Sequence, residues 1–448
     1  MENITLKKKY GLMTAIAMVI GIVIGSGVFF KAEKVLTATG GDLPLGIGAW
    51  VIGGLIMIVC AYVFATMAAK YEKISGLVDY AEVVIGKKYA YYLGWFMAII
   101  YTPTLTSVLA WVSARYTCVL LGWDITGGPC MTLACLYLIA IYVMNMLTPL
   151  LAGKFQIGTT AIKLIPLVLM AVIGTIAGLR SGMTIRNFSS VAAQEMNGSP
   201  LFTAVVATAF AYEGWIIATT INAELRDAKK NLPRALTVGT LVIMAVYILY
   251  YVGLAGAVPN ALLMESGEQG ARIAFMTIFG KWGGVLLMVL VVISCLGTLN
   301  GLMMGCVRNQ YALAIRGNGP APYVFAQVDP VTNMPLNSGN WALLLCGIWL
   351  FFFYGANLTS GWFGPFKFDS SELPIVALYA MYLPIFFLFI KKERDLPVFK
   401  RVVMPSLAIA ACVFMIIAAI FAHGKAVLWF LLVFAIVMAV GALYGKEI

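Results

Sequence analysis

Twelve stretches of about 20 or more residues, almost free of charge, follow one another along this chain, and each is long enough to cross a hydrocarbon layer as a helix. They lie near 11–38, 43–69, 86–118, 130–149, 154–178 and 200–224, then near 233–257, 271–314, 340–357, 371–390, 402–422 and 425–445. The third and eighth exceed what a perpendicular span needs, so they are expected to tilt or to project beyond the bilayer. The eighth also has room for a separate short helix. A water-soluble core cannot absorb this much apolar surface: 62% of the residues are hydrophobic and 11% charged, against roughly 45–50% and 25% in soluble domains. The solvent is lipid, and the whole of 1–448 reads as one membrane domain.

A formal net charge of +11 often points to nucleic acid. Here the basic residues sit in short gaps between apolar runs, so no nucleic acid partner is expected. With the N-terminus placed inside, twenty lysines and arginines fall in inner segments and nine in outer ones, counting Lys31 and Lys34 among the outer. That bias orients the chain with both termini cytoplasmic in a cell membrane. The single histidine, His423, has no ligand cluster around it in sequence, and eight dispersed cysteines form no CxxC pair, so neither a metal nor a cofactor is expected. The first run follows Lys7–Lys9 and extends well past a signal-peptide core, so it reads as a spanning helix.

Three features sit where lipid should exclude them. Gly25-Ser26-Gly27 lies thirteen residues past Leu12, roughly 20 Å into the bilayer. Paired glycines weaken a helix by about 1 kcal/mol each, and they also permit close packing; the spacing alone leaves a break and a packing contact both open. Glu213, within Phe210-Ala-Tyr-Glu-Gly-Trp215, is ten or more residues from either end of its run. A carboxyl at that depth is either neutral and hydrogen-bonded or faces a cavity. Lys163 lies nine residues from Lys154, about 13 Å from the boundary, too deep to reach water comfortably, so its ammonium is expected to face the protein interior.

The first two features fall in the first and sixth runs. An odd separation of five gives two five-helix units opposite orientation, the pattern of an inverted repeat with paired interruptions at a midplane site. A broken helix exposes amides that attract an anion and carbonyls that attract a cation. A free amino acid carries both charges on adjacent groups. A membrane enzyme would need nucleophile–base or metal clusters, and a channel would need a filter or charge rings; neither is visible.

At these residues the chain resembles a known family. Gly21-Ile-Val-Ile-Gly-Ser-Gly-Val-Phe29 is similar to the first-helix signature of the amino acid–polyamine–organocation transporters. Phe210-Ala-Tyr-Glu-Gly-Trp215, with Glu224 and Lys229-Lys-Asn-Leu-Pro-Arg234, resembles the sixth helix and loop of the L-amino acid transporter branch; Cys295-Leu-Gly-Thr-Leu-Asn-Gly301 and Arg308 to Pro320 resemble its eighth. The resemblance implies an all-α leucine-transporter-type fold. It has 12 transmembrane helices as a 5+5 inverted repeat (1–180 and 200–391) plus two C-terminal helices (400–446), with helices 1 and 6 discontinuous. It implies sodium-independent exchange of small to medium neutral L-amino acids by alternating access.

Carried over residue by residue, the amides of Gly25, Ser26 and Gly27 hold the substrate carboxylate. Carbonyls near Val23, Ile24, Phe210 and Ala211 hold the amino group, and Phe210 closes above as an outer gate. Lys163 matches a fifth-helix lysine in the region where coupled relatives bind sodium, with Thr298 and Ser294 as partners on the eighth helix. Glu213 departs from the pattern: that position is small and neutral in carriers of large neutral substrates, and acidic in branches taking cationic amino acids. It leaves proton coupling or cationic substrates, using Glu213 or Lys163, as the alternative. Eukaryotic members of this branch pair with a single-span glycoprotein through a loop cysteine. Neither Cys118 nor Cys130 matches that position, so no heavy-chain partner is expected.

Overall fold

The computed structural model describes residues 11–25, 27–71, 76–189, 199–216, 225–359 and 361–445. Ser26, Glu224 and both chain ends lie outside them. No β-strand occurs among the described residues. The helices, in order, are α1 Leu12–Val23, α2 Gly27–Ala38, α3 Leu43–Tyr71, α4 Leu77–Val84, α5 Lys87–Leu121, α6 Gly128–Leu147, α7 Pro149–Ser181, α8 Met183–Ser189 and α9 Pro200–Ala211. They continue as α10 Ala228–Ala257, α11 Asn260–Ser266, α12 Glu268–Ala314, α13 Pro322–Phe325, α14 Leu336–Leu358, α15 Leu373–Lys392, α16 Phe399–His423 and α17 Ala426–Tyr444.

Ten of these are long and apolar enough to cross a membrane, and the first and sixth runs are instead represented by shorter pieces. Helix α5 is buried along almost its whole length, with α12 and α14 against it, and forms the centre of the bundle. At the other extreme α17 exposes Leu428, Leu431, Leu432, Ile436 and Leu443, a face suited to lipid. Helix α10 packs on α3, α1 on α10, and α9 on α2, α3 and α16.

Local chemistry explains where the helices bend. Pro166 lacks an amide and its ring crowds the carbonyl of Ile162, so α7 is interrupted at Lys163, with helical segments ending at Ile162 and resuming at Leu164. Gly280, at φ 72°, turns the chain inside α12, so the eighth run does contain a separate short helix before its long one. The run read from sequence near 233–257 begins as a helix already at Ala228. Asp227 at φ 46° begins it, Pro233 lies inside, and Asn231 turns back to donate to the Arg226 carbonyl. One turn of α5, Met97–Tyr101, is wound wider than an α-helix, which redirects the residues that follow.

Candidate functional site

The first apolar run is two helices. Helix α1 ends at Val23, Ile24 is extended (φ −68°, ψ 107°), and α2 begins at Gly27. The sixth run stops in the same way: α9 ends at Ala211, Tyr212 leaves helical geometry (φ −88°, ψ 2°), and Gly214 takes φ 102°. Residues 217–224 are outside the described set, so only the first half of this run is seen. The two interruptions touch. A methyl added to Gly27 would lie 2.6 Å from the Ala211 Cα, and one on Gly25 would lie 2.9 Å from the Thr298 methyl. Both glycines are therefore required by close approach, and the small-residue reading and the break reading hold together.

A helix end leaves carbonyls without amide partners, and in lipid these need donors from elsewhere. At the end of α1 two side chains supply them. Lys163 Nζ donates to the Gly21 carbonyl, placing a cation at a helix C-terminus where the peptide dipole favours it. Tyr247, from α10, reaches the Val23 carbonyl at 3.2 Å and the Ala211 carbonyl at 3.0 Å, and accepts from the Gly25 amide. One phenol thus joins both breaks. Lys163 is almost wholly buried and Tyr247 fully so. Thr298 donates to the Ser294 carbonyl of its own helix, and the buried Ser294 hydroxyl has no partner among the described residues. So the ammonium ties helix five to helix one, and the Thr298 hydroxyl is spent within its own helix.

Glu213 lies in the turn after α9. Its carboxylate accepts from the Tyr101 hydroxyl and from the Gly214 amide. Tyr101 is the last residue of the wide turn in α5, which aims it at this point. Above the break, Phe210 is buried edge-on to Phe30 at 5.9 Å, and Phe30 in turn meets Trp111 at 5.7 Å. Lys31, counted from sequence among outer loop residues, is fully buried on α2 and sits over the Phe210 ring.

Sequence reasoning passed over Tyr247, Tyr101 and Lys31. Tyrosines in mid-span need a partner for the hydroxyl, and that was the available signal; yet Tyr250 and Tyr251 beside Tyr247 carry the same signal without meeting either break. Among the described residues no three His, Cys, Asp or Glu side chains are grouped to hold a metal ion. The chemistry of this site is peptide dipoles, one ammonium and one carboxylate. It suits binding and release of a small zwitterion, and among the described residues no group is placed for covalent attack.

Comparison with known proteins gives a consistent set of relatives. The family described as amino acid permease matches residues 10–442. The serine/threonine exchanger SteT of Bacillus subtilis (strain 168) is 31% identical over 424 residues, 93% of this chain and 92% of that protein. The b(0,+)-type amino acid transporter 1 of Homo sapiens is 25% identical over 430 residues, 94% of this chain and 84% of that one. Asc-type amino acid transporter 1 of Mus musculus is 26% identical over 354 residues, covering 77% of this chain and 64% of its own length.

Proposed function

The chain belongs to the amino acid permease family, a group within the amino acid–polyamine–organocation transporters, and on that footing we propose that it is a sodium-independent exchanger of small to medium neutral L-amino acids. It is a multi-pass membrane protein that carries its solute and leaves it chemically unchanged. One observation carries the specific reading: two helices end within contact of each other, at Val23–Gly27 and at Ala211, so amides and carbonyls converge on a single point. The amides of Gly25, Ser26 and Gly27 hold the carboxylate; the carbonyls of Val23, Ile24, Phe210 and Ala211 receive the amino group. Tyr247 donates its one hydroxyl hydrogen to either of two of those carbonyls when no amino group is there, and the arriving ammonium displaces it. Phe210 closes the outer side. Lys163 supplies a fixed positive charge at the end of α1 that a coupling cation supplies elsewhere.

The architecture behind this is a 5+5 inverted repeat of 12 spans with two further helices, the first unit running to about 180 and the second from about 200 to 391. Packing supports it. Counting α1/α2 as the first span and α9 as the sixth, each of the first three spans packs on the one five places later: α2 on α9, α3 on α10, α5 on α12. Exchanging partners across the repeat also maps α1 on α10 to α9 on α3, and α5 on α14 to α12 on α6; both members of each pair exist. Both termini are cytoplasmic, in the cell membrane, and no heavy chain is required.

Glu213 supports a second reading, proton-coupled or cationic amino acid transport, because a carboxylate held by Tyr101 stands at the break itself. Counterflow in proteoliposomes decides between them. Exchange predicts uptake of labelled serine, threonine or alanine only when amino acid is present inside, unaffected by sodium or by a pH gradient. Uptake into empty vesicles driven by protons, or preference for lysine and arginine, moves the assignment to Glu213.

A further inference from the structure

The outer side of the site carries a charged assembly that the binding of a zwitterion does not use. Lys31 projects from α2, one turn beyond Gly27, and is fully buried. Its ammonium contacts Glu372 Oε1 at 2.5 Å and Ser371 Oγ at 3.1 Å, at the entry of α15. Ser371 is itself fixed by Asp369, which accepts from its amide at 2.7 Å and its hydroxyl at 2.5 Å. The same ammonium lies 5.3 Å above the Phe210 ring and 5.0 Å from that of Phe30. The second oxygen of Glu372 meets His423 Nε2 at 3.1 Å, from the last residue of α16. Thus α2 is pinned to α15 and α16 by a single carboxylate, and α9 meets the same ammonium through the Phe210 ring.

We propose that Lys31 and Glu372 form the outer latch of the exchange cycle, holding α2 shut over Phe210, and that His423 sets its strength. The proposal rests on the exchange reading above. Opening to the outside requires α2 to leave α15, which separates Lys31 from Glu372 and exposes Phe210. A buried ion pair resists that separation strongly, because each charge is left without its partner. His423 stays with Glu372 on the static side. Neutral, it leaves the carboxylate's charge for Lys31. Protonated, it cancels that charge and repels Lys31, so the latch loosens as the outside becomes acidic. The other charged groups facing this cluster are Asp369 from the same entry segment, Lys34 from α2 and Arg115 from α5. Histidine is the side chain that ordinarily changes charge near neutral pH, which makes His423 the responsive member.

Exchange kinetics in proteoliposomes of known orientation test this. Glu372→Gln biases the carrier toward the outward-open state, so the external KM falls by up to about tenfold and the maximal rate drops with it. The swapped pair Lys31→Glu with Glu372→Lys returns both toward wild type. In wild type the external KM falls on acidification through the histidine's titration, and His423→Gln abolishes that dependence. An external KM in Glu372→Gln equal to wild type overturns the latch, as does a swap no better than the worse single variant; a pH dependence surviving in His423→Gln overturns the histidine's part. If wild-type protein exchanges no amino acid, the functional reading has failed, and hydrogen exchange then judges the latch alone. Faster exchange of Gly27–Ala38 amides in Glu372→Gln, with Ala426–Tyr444 unchanged, sustains it; identical rates end it.

Discussion

Tyr247 has one hydroxyl hydrogen and two carbonyls within reach, Val23 at 3.2 Å and Ala211 at 3.0 Å. It can satisfy only one at a time, and both are sites proposed for the substrate's ammonium. Removing the hydroxyl leaves buried carbonyls bare in the unloaded carrier, at about 1–3 kcal/mol. Tyr247→Phe is therefore expected to lower the melting temperature of the empty protein, while added serine recovers more stability than in wild type. A thermal-shift titration measures it, and equal shifts in the two proteins exclude the displacement. For Lys163 the argument is electrostatic. Its ammonium caps Gly21 at the end of α1, and alanine there removes both the cation and the link between helices five and one. Lys163→Ala is expected to cut exchange at least about tenfold with near-normal amounts of folded protein, since a charge-assisted bond of about 1.5–3 kcal/mol is lost. Wild-type turnover in this variant removes Lys163 from the mechanism.

Helices five and seven meet through backbone rather than side chains. Gly174 and Gly178 on α7 face Gly253 and Gly256 on α10; a methyl on Gly256 would lie 2.6 Å from the Gly174 carbonyl oxygen, and one on Gly174 would lie 2.7 Å from that of Gly253. Glycines spaced by a turn let helix axes approach where lipid gives no hydrophobic drive to associate. Gly256→Val is expected to destabilise by about 1–3 kcal/mol, read as a lower melting temperature in detergent. The helices themselves were legible in the sequence because hydropathy accumulates over a run, and Gly25 was marked as a weak point by its paired glycines, whose spacing left a break and a packing contact both open. What escaped depended on partners far away in sequence. Tyrosine is at home in an apolar run, so nothing marks Tyr247 until α1 and α9 are brought beside it. Lys31 lies 341 positions from Glu372, and counted by topology alone it looked like a loop cation. Nor could hydropathy register Gly280, because a single glycine in a 47-residue helix leaves the run apolar while its positive φ turns the chain.

For the whole molecule, the remaining question is whether it needs a second chain. A disulfide-linked partner requires an accessible thiol at the outer edge of the bundle. Cys118 lies in the last turn of α5 and Cys130 in the first turn of α6, on either side of a short loop at 122–127, and both are fully buried. Each thiol lies against the other, so neither is presented to an outside protein. Of the cysteines, only Cys135 is exposed, one turn further along α6 on its apolar surface. Towards the exterior, α17 and the outer faces of α6 and α7 show Leu136, Ile139, Leu150, Ile157, Leu428 and Leu431, surfaces suited to lipid. The chain purified by itself is therefore expected to exchange amino acids at the rate found in native membranes, and to run as a single species on gels with or without reductant. A higher-mass band that reductant abolishes, or exchange that appears only when membranes supply a companion, contradicts this. A band that vanishes in Cys135→Ser names that thiol as the point of attachment. One that survives the substitution requires α5 and α6 to separate at their outer ends, since only then could Cys118 or Cys130 reach a second protein.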